Sequence, residues 1–213
     1  MEYTGLLITF EGGDGSGKST HVELLKNYLS NKNIEFFATR EPGGTDYSEA
    51  VRALSKDIRY SNKSLASELF LFESARADIV EKCVLPALKA GKVVIMDRFY
   101  DSTVAYQSYG RGLDKKAVER MNLFAAQGLV PDITFYMRIA PTHAFERKGG
   151  MEQGDLIENI GLDFHNRVLN GFDEIAKENA QRYVILDTTK NIADVFADIT
   201  KAFDKKWSAH KEK

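Results

Sequence analysis

Five short apolar segments alternate along the chain with longer segments in which apolar residues recur every three or four positions. Each short segment is a nearly continuous apolar run, which is typical of parallel strands covered on both faces. The predicted strands span residues 6–11, 34–39, 92–97, 133–138 and 182–187. The clearest predicted helices span residues 20–29, 67–90, 115–128, 162–179 and 192–207.

The alternation of strands and helices predicts an α/β fold, in which helices cover both faces of a five-stranded parallel sheet to give three layers. In such folds, functional side chains lie at the carboxyl ends of the strands. The chain has 213 residues and four prolines, with no visible repeat or low-complexity segment. We therefore predict a single domain that spans residues 1–213.

The amino-acid composition argues against two classes of binding partner, nucleic acids and membranes. The net charge is −2, with 43% hydrophobic and 28% charged residues, so the basic excess of a nucleic-acid or anionic-membrane binder is missing. No apolar run approaches the ~18 residues of a membrane span. Cys83 is the single cysteine, which excludes an intrachain disulfide and favours the reducing cytoplasm. We expect neither nucleic acid nor membrane as a partner.

Residues 12–19 read G-G-D-G-S-G-K-S and match the phosphate-binding pattern G-x-x-x-x-G-K-[ST]. Glycines let consecutive backbone N–H groups converge on a phosphate, Lys18 can contact the terminal phosphates, and the Ser19 hydroxyl can ligate Mg²⁺. The alternative is a glycine-rich turn, but a predicted strand precedes the motif and a predicted helix follows it. The predicted nucleoside triphosphate site comprises Gly12, Gly13, Asp14, Gly15, Ser16, Gly17, Lys18, Ser19 and Thr20.

Asp97 ends the third predicted strand, where an acidic residue of a phosphate-loop protein can help to hold Mg²⁺. It could instead cap the following helix. Phosphoryl transfer also requires cations that neutralise developing charge, and Lys18, Arg98 and Arg147 are the predicted catalytic residues. Arg40, after the second predicted strand, is a further candidate for binding phosphate.

A glycine-rich interruption lies between two helical patterns, and we predict a lid at about residues 142–158. A lid that closes over a phosphate site excludes water from the reaction. An ordinary flexible connection between helices is the alternative. Arg147 lies within this segment.

A second substrate requires a second pocket, and Phe72 with Arg76 offers a ring and a forked donor on one helical face. Such a pair can stack on a base and bond to an exocyclic oxygen. Taken alone, a phenylalanine such as Phe72 would more often belong to the core. Residues 102–107 add polar groups and another ring at helical spacing.

These motifs together resemble bacterial thymidylate kinase. The matching strings are residues 11–20, T-R-E-P-G-G-T at 39–45, residues 71–76, D-R-F at 97–99, and S-T-V-A-Y-Q at 102–107 followed by G-R-G-L at 110–113. The resemblance extends over residues 6–203. It implies a P-loop NTPase-type α/β fold, a homodimer, and transfer of the γ-phosphate of ATP, with Mg²⁺, to dTMP.

The resemblance also implies individual roles. Asp14 would bind the deoxyribose 3′-hydroxyl, and Tyr106 would pack under the sugar where a 2′-hydroxyl does not fit. The remaining implied substrate contacts are Phe72 and Arg76 on thymine, Thr103 and Gln107 facing the base, Arg40 and Arg98 on the acceptor phosphate, and Lys18 with Ser19 on ATP and the metal.

The chain departs from the family pattern in the lid and at the fourth strand. Gly149, Met151 and Leu156 stand where arginine is common, and Arg138 stands where an acidic residue is expected. Two alternatives therefore accompany the expected dTMP kinase. One is a kinase with another nucleotide or nucleoside acceptor, and the other is a nucleotide-binding protein without catalysis.

Overall fold

A computed structural model describes residues 3–147 and 160–212 of the chain. Its five strands form one parallel sheet in the order β2-β3-β1-β4-β5. The strands are β1 (Leu6–Glu11), β2 (Phe36–Arg40), β3 (Val93–Asp97), β4 (Ile133–Arg138) and β5 (Tyr183–Asp187). The predicted α/β fold with a five-stranded parallel sheet is thereby confirmed.

Helices follow and cover the strands. They are α1 (Lys18–Asn31), α2 (Asp46–Lys56), α3 (Leu65–Ile79), α4 (Leu85–Lys89), α5 (Tyr100–Thr103), α6 (Lys115–Ala125), α7 (Pro141–Arg147), α8 (Leu162–Glu178) and α9 (Ile192–Lys211). A π-helical segment, Val80–Val84, joins α3 to α4, and another, Val104–Gly110, extends α5. In the part of the chain that is described, no helix combines the length and apolarity needed to cross a bilayer.

Alternate residues of the central strand β1 face opposite layers of the core. Leu6, Ile8 and Phe10 belong to a cluster with buried residues of α1 and α9. Leu7 belongs to a second cluster with residues of α3, α4 and β3. Because both faces of β1 are covered, all its residues are buried, and an apolar run rather than an alternating pattern results.

Two helical features differ from the sequence prediction. The pattern does not predict α2, because Val51 is its only buried large apolar residue and the rest of the helix is mostly polar. The Thr45 side chain caps α2 by accepting from Ser48 N at 3.1 Å. The predicted helix 67–90 begins two residues earlier, at Leu65, where the Ser64 side chain caps it.

The strand register brings the chemistry-bearing ends of three strands to one edge. Phe10 of β1 is paired with Asp97 of β3, which is paired in turn with Arg40 of β2. The phosphate loop begins immediately after β1, and Arg98 immediately follows β3. The fold therefore gathers these groups at the carboxyl edge of the sheet, as predicted for a parallel sheet.

Candidate active site

The phosphate loop connects β1 to α1 and depends on glycine at several positions. Gly12, Gly15 and Gly17 have φ values of 139°, 75° and 89°, a region that side-chain-bearing residues rarely adopt. A Cβ atom on Gly12 would lie 2.6 Å from Met137 O, and one on Gly15 would lie 2.7 Å from Ala144 O. Backbone conformation favours glycine at all three positions, and lack of space also requires it at Gly12 and Gly15.

Lys18 is the first residue of α1, and its side chain folds back into the loop. Its ammonium donates to Gly12 O at 3.1 Å and to Gly13 O at 2.8 Å. The side chain is buried, and burial lowers the pKa of Lys18 to about 8. This places one cation against the phosphate loop, where a phosphate oxygen can accept from it.

Ser19 and Asp97 form the predicted metal pair. Ser19 Oγ donates to Asp97 Oδ2 at 2.6 Å, so the two oxygen atoms are adjacent although 78 residues separate them. Hydroxyl and carboxylate oxygens are the hard ligands that Mg²⁺ prefers, and Mg²⁺ in phosphoryl-transfer sites takes its other ligands from phosphates and water. The described residues contain no cluster of three carboxylate, histidine or cysteine side chains that would form an all-protein metal site. The pair fits a nucleotide-bound Mg²⁺.

Arg98 links the phosphate loop to the neighbouring pocket. Its guanidinium donates to Gly12 O at 2.9 Å, to Ser102 Oγ at 3.1 Å and to Asp14 Oδ1 at 2.5 Å. Tyr106 OH donates to the other Asp14 oxygen at 2.9 Å. The backbone of Arg98 has φ 71°, an uncommon conformation for a residue other than glycine. The turn after β3 is thus shaped to direct this one side chain into the site.

Glu11 is a site residue that the sequence interpretation did not identify. It is fully buried at the end of β1, accepting from Phe99 N at 2.8 Å and Ser102 Oγ at 2.5 Å. Burial raises the pKa of Glu11 to about 8. The sequence feature that could have identified Glu11 is its position as a glutamate at the end of an otherwise apolar strand. Its bonds fix the start of α5, where Ser102 contacts Arg98.

A pocket of about 200 Å³ opens beside the phosphate loop. It brings together seven of the predicted substrate residues: Asp14, Phe72, Arg76, Arg98, Thr103, Tyr106 and Gln107. Lining residues outside that prediction are Glu41, Pro42, Arg52, Ser55, Lys56, Phe99 and Ser102. Because α2 was not predicted, Arg52 and Lys56 could not be placed here from the sequence.

Arg76 lies at the back of this pocket, and the protein itself satisfies its guanidinium. The Nε and Nη2 groups bond to Glu41 at 2.8 and 2.7 Å, and Nη2 also donates to Thr103 Oγ1 at 2.9 Å. Nη1 donates to Glu73 at 3.0 Å and to Asn122 Oδ1 at 2.7 Å. Burial opposes the charge, but the two carboxylates raise the pKa of Arg76 above its usual range. Each of the three guanidinium nitrogens therefore has at least one protein acceptor.

Two predicted cations lie outside this pocket. Arg40 is half exposed, and its guanidinium pairs with Glu49 at 2.9 Å. Arg147 ends α7 and donates to the carbonyl of Thr188 at 2.6 Å, beyond the end of β5. The first part of the predicted lid is therefore helical, whereas Gly149, Met151, Leu156 and the rest of that segment lie outside the described residues.

Arg138, which departs from the family pattern, forms a local ion pair. Its Nε and Nη2 groups donate to Asp173 of α8, each at 2.9 Å. Tyr136 OH donates to the same carboxylate at 2.9 Å. The arginine thus ties the end of β4 to α8.

Comparisons with known proteins agree with this arrangement. The family model "Thymidylate kinase" matches residues 10–199. A thymidylate kinase of Chlorobaculum tepidum is 42% identical over 208 residues, covering 93% of this chain and 97% of that protein. One of Chlorobium phaeobacteroides is 40% identical, covering 97% of this chain and 98% of that protein. The crystal structure of thymidylate kinase from Ehrlichia chaffeensis superposes with a TM-score of 0.77 at 35% identity, covering 93% and 98% of the two chains. The chain therefore belongs to the thymidylate kinase family.

Proposed function

We propose that this chain transfers the γ-phosphate of ATP to dTMP and so forms dTDP. The observation that supports this most directly is the shared wall between the phosphate loop and the acceptor pocket. Asp14 belongs to the loop and lines the pocket, while Arg98 bonds to the loop carbonyl of Gly12 and lines the same pocket. A donor phosphate chain and an acceptor phosphate can therefore meet in line at Arg98, as phosphoryl transfer requires.

In this proposal, the phosphate loop and α1 bind ATP, with Lys18 on its terminal phosphates. Ser19 and Asp97 hold Mg²⁺, which neutralises phosphate charge when bound. Arg98 offers a planar fork of donors to the acceptor phosphate and to the charge that develops during transfer. The protein contributes alignment and fixed positive charge, which suffice for this reaction because no covalent intermediate is needed.

The acceptor pocket has features that suit a deoxynucleotide. Tyr106 is held by its bond to Asp14 and by edge contacts with Phe164 and Phe172, at ring distances of 6.1 and 6.3 Å. In this proposal the fixed Tyr106 ring packs under the sugar, where a 2′-hydroxyl would not fit. Phe72 is half-buried at the pocket surface, available to stack on a base.

The test is ADP release from ATP and Mg²⁺ across a panel of nucleoside monophosphates. We expect strong turnover with dTMP and little with UMP, dCMP or dGMP. Turnover with a different acceptor would retain the kinase but overturn the base assignment. Binding of ATP and dTMP without ADP release would instead favour a nucleotide-binding protein without catalysis.

Stacking by Phe72 leads to a prediction on affinity. We expect Phe72→Ala to weaken dTMP binding by ~1–3 kcal/mol, because base–aromatic stacking is worth about that much. ATP binding should not change. Isothermal titration of dTMP and ATP into the variant measures both. Tyr47→Ala, an exposed ring on α2 outside the pocket, is the control. Equal dTMP affinity in wild type and Phe72→Ala would remove the stacking role.

We also propose that the chain forms a homodimer. Several large apolar side chains on and between the adjoining helices α2, α3 and α6 are exposed, and we term seven of them the apolar patch: Leu54, Ile58, Tyr60, Leu65, Phe70, Leu123 and Phe124. Phe124 is 86% exposed and Phe70 57% exposed. Several exposed apolar side chains on neighbouring helices are typical of interfaces between proteins, and the family resemblance implies a second copy as the occupant.

Phe124→Asp is expected to weaken the dimer at least thirtyfold, which corresponds to about 2 kcal/mol for an interface hot spot. A charge at this position would have to be buried without a partner. Sedimentation velocity over a concentration series measures the change. Ile192 is an exposed apolar residue at the start of α9, away from the apolar patch, and Ile192→Asp should leave the proportion of monomer and dimer unchanged. A Phe124→Asp protein that sediments as wild type would exclude this face as the interface.

The cytoplasm is the proposed compartment. Cys83 is a free, partly buried thiol, and the pKa of that thiol is raised by burial, so it is not primed for oxidation. ATP, the proposed donor, is also a cytoplasmic metabolite. Cell fractionation with an antibody to the chain tests this assignment.

A further inference from the structure

Gln107 lines the acceptor pocket, and the direction in which its amide points is fixed from behind. Gln107 Nε2 donates to Glu68 Oε1 at 3.1 Å. Glu68 is 4% exposed and lies on α3, whereas Gln107 lies on the π-helical extension of α5. The two side chains thus meet across a helix interface immediately behind the pocket.

Glu68 can only accept hydrogen bonds in this position. Arg111 donates to both of its oxygens, from Nε at 3.1 Å and from Nη2 at 2.8 Å, so both oxygens act as acceptors in an ion pair. If the Gln107 amide were reversed, its oxygen would face this carboxylate. A buried acceptor would then oppose another acceptor, which is strongly unfavourable. The amide nitrogen of Gln107 must therefore face Glu68.

The Gln107 Oε1 atom is left for the pocket. Within residues 3–147 and 160–212 it has no hydrogen-bond donor, although Gln107 lines the pocket wall. Thr103 is constrained in the opposite sense, since its oxygen already accepts from Arg76 Nη2 at 2.9 Å and its hydroxyl hydrogen has no acceptor among the described residues. The pocket therefore offers a hydroxyl donor at Thr103 and an amide acceptor at Gln107.

This polarity matches one kind of pyrimidine edge. Thymine presents a carbonyl acceptor at position 4 and an N–H donor at position 3, whereas cytosine presents an amino donor at position 4 and an unprotonated nitrogen acceptor at position 3. A cytosine edge would place acceptor against acceptor at Gln107. Buried mismatches of this type discriminate strongly between substrates.

We propose that Glu68 is a positioning residue for base selection: it holds the Gln107 amide with its oxygen toward the base, so that the pocket favours thymine over cytosine. The proposal rests on the proposed dTMP kinase function. Glu68 itself does not contact the base, and it acts through the orientation of Gln107.

Glu68→Gln tests the proposal because an amide of the same shape can either donate to Gln107 or accept from it. We compare kcat/KM for dTMP with that for 5-methyl-dCMP, which differs from dTMP only at the base edge in question. We expect the dTMP preference to fall about tenfold, the effect of roughly one hydrogen bond. A merely structural Glu68 would lower turnover of both acceptors equally. Glu23→Gln, the same change at an exposed residue of α1, is the control and should retain the wild-type preference.

A double-substitution cycle separates orientation from general damage. Gln107→Leu alone, in which Glu68 and Arg111 remain paired, should lower the dTMP preference as Glu68→Gln does. In the Gln107→Leu background, Glu68→Gln should change the preference less than about twofold, since its effect passes through Gln107. Undiminished preference in Gln107→Leu overturns the proposal even where Glu68→Gln does not fold. The proposal is also overturned if each substitution lowers the dTMP preference by the same factor and the two factors multiply in the double variant.

The outcome for the wild type separates this inference from the proposed function. A wild-type protein without dTMP turnover overturns both. Normal wild-type turnover with an unchanged preference in Glu68→Gln overturns only the role of Glu68.

Discussion

Lys18→Met is expected to lower kcat for dTMP phosphorylation by about a thousandfold or more, because a cation on the transferring phosphates is worth ~10³–10⁵ in related phosphoryl-transfer sites. The Lys18 ammonium contacts two carbonyls of the phosphate loop, at 3.1 Å from Gly12 O and 2.8 Å from Gly13 O. Methionine has a similar length without charge. Single-turnover measurement of ADP formation at saturating ATP and dTMP determines the loss in the chemical step.

The same substitution should not destabilise the protein without nucleotide. Burial lowers the pKa of Lys18 to about 8 from its usual 10.5, so the folded protein holds this proton less tightly than the unfolded chain. The destabilising contribution is complete below pH 8 and disappears as the pH rises toward 10.5. Thermal unfolding of Lys18→Met at pH 7 should therefore occur at or above the wild-type temperature. Lys177→Met, an exposed lysine of α8, is the control for activity. Retention of wild-type kcat in Lys18→Met would contradict the role of the loop lysine.

Arg98→Met is expected to lower kcat/KM for dTMP by roughly 10²–10³, the effect of removing one preorganised donor to a developing anion. We expect this loss of kcat/KM to exceed that caused by substituting any other residue of the pocket, because the Arg98 guanidinium also bonds to Gly12 O and Asp14. Asp14 would lose its ion pair as well, and the wall beneath the sugar would loosen. Steady-state kinetics with dTMP varied at saturating ATP measures this change.

Arg98→Lys is the matched variant, since it retains the charge and loses the planar fork. We expect it to recover only part of the activity, because one ammonium cannot bond simultaneously to Gly12 O, Ser102 Oγ and Asp14. Full recovery by lysine would show that charge alone matters at this position. Wild-type kinetics in Arg98→Met would remove Arg98 from the acceptor site.

The position of Arg147 bears on how a lid poor in arginine could act. Its guanidinium is bonded to Thr188 O, on the loop after β5, while Arg98 lies beside the phosphate loop. Closure that brought Arg147 to the transferring phosphate would have to break this bond. In the proposed mechanism, Lys18 and Arg98 are two cations that already contact the phosphate loop through Gly13 O and Gly12 O, so their action would not require the predicted lid.

Much of the fold follows from local pattern. Parallel strands buried on both faces must be nearly all apolar, so β1 and β4 were predicted with the bounds that the structure has. α2 was missed because a helix that lies on the outer face of α3 buries few apolar groups, and its start depends on a single cap at Thr45. Because α2 was not predicted, Arg52 and Lys56 were not predicted as pocket residues either.

The sequence by itself determined the phosphate loop, the α/β class and the family, because a phosphate cradle needs glycine, lysine and hydroxyl groups at fixed spacing along one turn. It also predicted seven of the fourteen residues that line the pocket beside the loop. Only the tertiary structure decided how those residues are paired. It shows that Arg76 donates to Glu41, Glu73, Asn122 and Thr103, that Asp14 joins Arg98 to Tyr106, and that Gln107 donates to Glu68. Such pairings join side chains from separate helices and strands, and hydrogen-bond direction depends on which groups meet in space rather than on their order in the chain.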